Sequence, residues 1–366
     1  MSESVITGTE QNVFVVGHMN PDTDSICSAI AYADLKCKMT GKKYTPKRAG
    51  QLSPETEFVL KHFGVKTPGF ISDVREQVKD MEIRVVPTLS KEMSLKAAWD
   101  VMDKETLSTL PILDEDKCLK GLISVADIAK SYMNVYDSEI LAKAETPYRN
   151  ILEVLEGSMV VGNPDDCVTS GKVLIGAAKP EMMENFVEEG DIVIVGDRYE
   201  AQLCAIEMKA KCVVVCTGAN VAKTITRMAE QRGCAIIQTK YDTFIASRLI
   251  NQSMPIDFFM RKEGFVTFTT EDFLDDIKSV MAEKRHRDFP ILDKEGHYIG
   301  MISRRNLLTV KKKDIILVDH NEVDQAVDGL QSANILEIID HHKIGSLETM
   351  GPVYFRNQPV GCTATI

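Results

Sequence analysis

The sequence predicts an α/β protein whose doubly wound, mainly parallel sheet is interrupted by a long insertion. Three observations carry this expectation. Apolar, β-rich runs at Val13–Val16, 315–318 and 335–339 each lead directly into a motif of histidines and acids. Strand-like and helical spacings alternate around these runs at both ends of the chain. Between them, a helix–strand–strand pattern recurs at a fixed offset.

Residues 12–66 read as strand, loop, helix, strand, helix. Ile26, Ile30 and Ala33 follow Ser25 at helical spacing, so Ser25 is the expected cap. The loop before it carries His18, Pro21, Asp22 and Asp24. Residues 315–366 read as strand, polar loop, helix, strand and a final loop. The polar loop opens with Asp319-His320-Asn321-Glu322, and the final loop carries Asp340-His341-His342.

Strand ends that deliver histidine and aspartate are how an open α/β sheet builds a site at its carboxyl edge. Imidazole with carboxylate suits Mn, Fe, Co or Zn better than Ca or Mg. Asp22 and Asp24 are two apart and reach different points, while the adjacent His341 and His342 diverge. With His18 and Asp319 these are enough to begin two metal sites sharing one carboxylate. Two cations ~3.5–4 Å apart suit in-line attack on phosphorus. Each motif alone is weak, because Asp-x-Asp in a polar loop is most often a turn or cap. Together, and in this order, they are specific.

A chain of 366 residues is long enough for two or three domains. Hydrophobic content of 44% with 27% charged residues is that of a soluble globular protein. No apolar run approaches the ~20 residues that span a bilayer. Met1-Ser2-Glu3-Ser4 lacks the basic and apolar parts of a signal peptide. A cytoplasmic protein without membrane partners is expected. The nine cysteines form no CxxC pair, and Cys212 and Cys216 share one strand face, as buried reduced thiols would. A net charge of −11 argues against a nucleic-acid partner. It leaves an anionic substrate open, because bound cations supply local positive charge.

In the central repeat, Met102 and Met281 stand 179 residues apart. At the same offset, Leu110-Pro111-Ile112-Leu113-Asp114 matches Phe289-Pro290-Ile291-Leu292-Asp293. Gly121-Leu122-Ile123-Ser124 likewise matches Gly300-Met301-Ile302-Ser303. Units this small bury their apolar faces by pairing. They resemble cystathionine-β-synthase (CBS) domains through the Gly–apolar–apolar–Ser–x–x–Asp/Asn element. The resemblance implies that Ser124 and Asp127, and Ser303 with Asn306, hold the ribose and phosphate of an adenine nucleotide. Asn306 stands where that family has aspartate and carries no charge. Arg285 and Arg287, flanking His286, are expected to meet a phosphate.

Between the repeats, β and α segments alternate: 192–195, 199–208, 213–216, a helix to Glu230, 235–238 and 241–250. This small α/β stretch resembles the DRTGG domain, with Gly196-Asp197-Arg198 and Thr217-Gly218 as landmarks. Those turns either bind phosphate or are ordinary turns.

The outer segments resemble the DHH phosphoesterases, and more narrowly the manganese-dependent family II inorganic pyrophosphatases. The stretches around Ile26–Asp34, Val318–Glu322 and Pro359–Thr365 carry the likeness. The resemblance implies a DHH domain at 1–66 and 312–366, CBS units at 67–148 and 254–311, and a DRTGG-like domain at 149–253. His18 and Asp22 would bind one metal, Asp24 and His341 the other, and Asp319 both. His342 would face the phosphate, with Asp340 anchoring it. The implied reaction is hydrolysis of pyrophosphate to two phosphates, with Mn²⁺ or Co²⁺ in the site and Mg²⁺ on the substrate. AMP, ADP and ATP would regulate it, and a homodimer is expected.

Family members continue well beyond the position of Ile366, with one more metal-ligating aspartate and a substrate-gripping domain. A truncated, nearly inactive chain is therefore expected. Two other readings compete: a DHH phosphodiesterase or exonuclease, and a non-catalytic nucleotide sensor. The acidic charge speaks against the first, and the intact ligand set against the second.

Overall fold

The computed structural model describes residues 4–6, 12–133 and 137–366. They form two compact units, one of Met1–Val85, Thr267–Glu295 and Ile299–Ile366, the other of Val86–Val266 and Gly296–Tyr298.

The first unit contains the sheet on which the motifs sit. Its elements are β1 (Val13–Val16), α1 (Thr23–Thr40), β2 (Tyr44–Arg48), α2 (Pro54–His62), β3 (Gly69–Phe70), β4 (Asp314–Val318), β5 (Asn334–Asp340) and β6 (Tyr354–Asn357). Their order is β6-β5-β4-β1-β2-β3, and every neighbour is parallel. The sheet winds outward in both directions from the β1–β4 pair, which places a switch point there.

The unbroken apolar runs follow from burial on both faces. Val13, Val15, Ile316, Val318 and Ile339 pack with Ala29 and Ala33 of α1 on one side. Val16, Ile315, Leu317 and Ile338 pack with Val74, Ala326, Val327 and Leu330 on the other. Successive residues of β4 thus serve opposite cores.

Four sequence expectations change. Helix α1 starts at Thr23, capped by Asp22 and not by Ser25; the Ser25 N–H donates to Asp22 Oδ1 at 2.9 Å. An aspartate behind Pro21 takes an orphan helix N–H, and so starts the helix earlier. Asp24 consequently lies in the first helical turn, not in a loop. The segment between β4 and β5 holds only the 3₁₀ turns Val323–Gln325 and Leu330–Ser332, with Gly329 at φ +76° breaking any longer helix. The outer sheet also runs past the expected boundary at 66, because β3 pairs with Lys47 and Arg48 and Val74 packs against Val16. Strand β6 was not anticipated; its Tyr354, Phe355 and Arg356 are exposed and show no alternation.

The repeat is present at its expected offset. In the second unit, helix Leu95–Glu105 precedes strands Thr109–Leu113 and Leu119–Ser124. In the first unit, helix Leu274–Glu283 precedes Asp288–Leu292 and Tyr298–Ser303. The copies then diverge into a helix at Val125–Met133 and a short 3₁₀ turn at Arg304–Leu308. Buried Ser94 caps the first helix, accepting from Ala97 N at 3.0 Å. Ser94→Ala is expected to cost about 1 kcal/mol, read as a lower urea midpoint.

The second unit also holds a five-stranded sheet in the order Ser158–Val161, Ala235–Gln238, Cys212–Val215, Ile192–Val195, Val173–Ile175. Cys212, Val214 and Cys216 share a buried face with Ile192 and Ile194. Burial pushes the Cys216 thiol up to about 11, and all nine cysteines are free. Among the described residues, no helix is long and apolar enough to cross a membrane.

Candidate metal centre

The three motifs meet at the carboxyl edge of the sheet, around the switch point. His18 follows β1, Asp319 follows β4, and His341 and His342 follow β5. The chain leaves β1 through Gly17, where a Cβ would come within 1.9 Å of Ser25 Oγ on α1. Gly17→Ala is expected to destabilise by ~1–3 kcal/mol, with partial recovery in Gly17→Ala/Ser25→Ala, read by thermal melting.

Asp319 is buried at the centre, 1% exposed. Its Oδ2 lies 3.4 Å from His18 Nε2, which is itself 3.9 Å from Asp22 Oδ1. Its Oδ1 lies 3.5 Å from His341 Nε2, which is 3.7 Å from Asp24 Oδ2. One carboxylate thus faces two separate histidine–aspartate pairs. His18, Asp22, Asp319 and His341 converge from strand ends some 300 residues apart in the sequence.

The remaining ring and carboxylate atoms are tied back. His341 donates through Nδ1 to Val360 O at 3.0 Å, which turns its Nε2 lone pair toward the aspartates. Asp24 accepts from Thr363 N at 2.6 Å, Ala364 N at 3.1 Å and Ser28 Oγ at 2.9 Å. Burial raises its pKa, but these donors together hold it below the usual carboxylate range. Thr363 Oγ1 donates to Asp319 Oδ1 at 2.8 Å. Asp340 is fully buried and accepts from His341 N, His342 N and His342 Nδ1 at 2.7, 3.1 and 2.8 Å. Asn321 donates to its other oxygen. Burial opposes ionisation of Asp340, yet these bonds keep it below its ordinary value. For His342, burial lowers the pKa, but the Asp340 bond and the nearby carboxylates raise it overall.

The residues suit bound cations. Asp319 Oδ2 is buried without a hydrogen-bond partner among the described residues. A bare buried carboxylate oxygen is costly unless a cation meets it. The 3.4–3.9 Å separations are too long for hydrogen bonds. They match two ligand atoms that each lie ~2.0–2.2 Å from a shared ion. The nitrogen and carboxylate donor set favours Mn, Co or Zn.

The expected nucleotide residues lie outside this centre. Ser124 Oγ and N both donate to Asp127 Oδ2, at 2.5 and 2.9 Å, capping Val125–Met133. Ser303 and Asn306 make the same box, at 2.8 and 2.9 Å. Arg285 and Arg287 are exposed in the turn before Asp288–Leu292. Arg261 has its Nε 3.6 Å from Asp127 Oδ2. In the DRTGG-like stretch, Thr217 N and Gly218 N donate to Tyr241 O and Thr239 O, so that turn has no free N–H for a phosphate at these two residues. Arg198 Nη2 reaches the carbonyls of Gly176, Ala177 and Ala178.

A CBS domain is recognised at residues 78–134 and 256–313, and a DRTGG domain at 150–253. The cobalt-dependent inorganic pyrophosphatase of Clostridium perfringens is 41% identical over 354 residues, covering 97% of this chain and 64% of the relative. The probable manganese-dependent inorganic pyrophosphatase of Thermotoga maritima is 36% identical over 357 residues, covering 97% and 65%. The solved CBS and DRTGG domains of the regulatory region of C. perfringens pyrophosphatase, complexed with the activator diadenosine tetraphosphate, share 36% identity. That match covers 63% of this chain and all of the solved one, with a TM-score of 0.60.

Along 97% of its length the chain is similar to these inorganic pyrophosphatases, and it carries CBS and DRTGG domains. It spans 64–65% of the length of those two full-length relatives. The CBS matches fall on the two repeats and the DRTGG match on the α/β stretch between them.

Proposed function

We propose that the metal centre serves hydrolysis of inorganic pyrophosphate to two phosphates, controlled by adenine nucleotides at the CBS domains. The observation that carries this is the single buried carboxylate of Asp319 set between two histidine–aspartate pairs. His18 and Asp22 would hold one Mn²⁺ or Co²⁺, and Asp24 and His341 the other, with Asp319 shared. Mg²⁺ would accompany the substrate. Cations held there supply Lewis acidity toward phosphoryl oxygens and lower the pKa of the attacking water. The chain's own groups do the orienting. Thr363 and Ala364 N–H groups keep Asp24 ionised, and Val360 O fixes the His341 tautomer. His342 is half-exposed and keeps its Nδ1 proton toward Asp340, so Nε2 is left to meet the phosphate or leaving group.

Ser124, Asp127, Ser303, Asn306, Arg285 and Arg287 are the proposed contacts for AMP, ADP or ATP. A homodimer and a reducing, cytoplasmic setting complete the reading. Phosphate release from pyrophosphate in Mn²⁺, set beside cleavage of a short oligonucleotide, tests the substrate; faster cleavage of the oligonucleotide overturns it. Calorimetry with AMP, ATP and diadenosine tetraphosphate tests the regulation, and no heat from any of them overturns that part.

A further inference from the structure

Asp319 sits at φ +65°, a left-handed conformation uncommon outside glycine. In that conformation its carboxylate oxygens lie 3.4 Å from His18 Nε2 and 3.5 Å from His341 Nε2. The next residue spans this turn. His320 Nδ1 lies 2.9 Å from the Val318 carbonyl, so it carries the proton and donates, closing a ring over Asp319. The imidazole is buried, 1% exposed, and stands edge-on to His18 with centroids 6.4 Å apart.

Donation through Nδ1 leaves Nε2 a bare acceptor, and it has no hydrogen-bond partner among the described residues. Burying a bare nitrogen works against stability. A leucine of similar size would fill the space without that cost. The fold itself therefore gains little from histidine here beyond the bond to Val318. That bond acts on one element, the turn that aims Asp319.

We propose that His320 is a positioning residue, whose hydrogen bond to the Val318 carbonyl holds the left-handed turn and so keeps the Asp319 carboxylate spanning both halves of the metal centre. This rests on the metal reading above. The test is Mn²⁺ calorimetry on the 366-residue chain as wild type, His320→Leu and His320→Asn. Leucine removes the donor, whereas asparagine returns an N–H near the Nδ1 position. His320→Leu is expected to bind Mn²⁺ ~10–100-fold more weakly, the range seen when groups that orient metal ligands are removed. Its metal-free melting temperature is expected to be no lower than wild type, and His320→Asn is expected to recover most of the affinity.

Equal affinity of His320→Leu and wild type overturns the proposal. So does a His320→Asn variant as weak as His320→Leu, or a loss of affinity that tracks a loss of metal-free melting temperature. A wild-type chain that takes up no Mn²⁺ overturns the metal reading together with this inference. Normal wild-type uptake with unchanged His320→Leu overturns the inference alone.

Discussion

Asp319→Asn is expected to weaken Mn²⁺ binding by ~100-fold or more, because removing groups that merely orient ligands already costs 10–100-fold. The substitution keeps the shape of the side chain and leaves one oxygen able to accept from Thr363 Oγ1. It removes the charge that both histidine–aspartate pairs face, and turns an amide N–H₂ toward one of them. Both halves of the centre should therefore fail together. Without metal, the same change should raise the melting temperature or leave it unchanged. The reason is that Asp319 Oδ2 is a buried carboxylate oxygen without a hydrogen-bond partner among the described residues, and losing an uncompensated buried charge is favourable. Calorimetry with Mn²⁺ and thermal melting of the metal-free protein check the two halves of the prediction. Tight residual binding, or a large fall in metal-free stability, would show that Asp319 is an ordinary core carboxylate.

Phe289→Ala is expected to cost ~3–5 kcal/mol, the range for truncating a fully buried aromatic. Phe289 is 0% exposed in strand Asp288–Leu292. Its ring packs at 5.5 Å from Phe268 on the neighbouring parallel strand, and His286 lies edge-on at 6.1 Å. Truncation leaves a cavity among rigid strands that cannot close over it. At the matching repeat position stands Leu110, also fully buried. Phe289→Leu should therefore recover much of the loss. Chemical denaturation of the three proteins provides the check, and a cost under ~1 kcal/mol for alanine would mean that the site collapses freely.

Much of the fold was legible in local pattern. The runs that became β1, β4 and β5 are continuous apolar segments because both faces of each strand are covered, and such runs show in a linear chain. The repeat was legible because its offset survives element by element, from Leu95 and Leu274 onward. The start of α1 is ambiguous in the sequence because Ser25 and Asp22 are both good caps, and only the N–H that Asp22 accepts decides between them. The helix expected between β4 and β5 failed for a similar reason. Val327 and Leu330 are buried by contact with β4 and β5, not by a helical stripe of their own.

By itself, the sequence determined which histidines and aspartates stand at the strand ends, because residue chemistry and hydrophobic spacing are local properties. It also announced the repeat of helix and two strands in the insertion. The tertiary structure alone decided that Thr363 N–H closes on Asp24 across 339 residues, and that Asn321 ties down Asp340. It alone placed Asp319 in a left-handed turn with one oxygen toward each histidine. Those facts depend on parallel strands from opposite ends of the chain lying side by side. No spacing along the chain encodes a hydrogen bond that exists only after the sheet has formed.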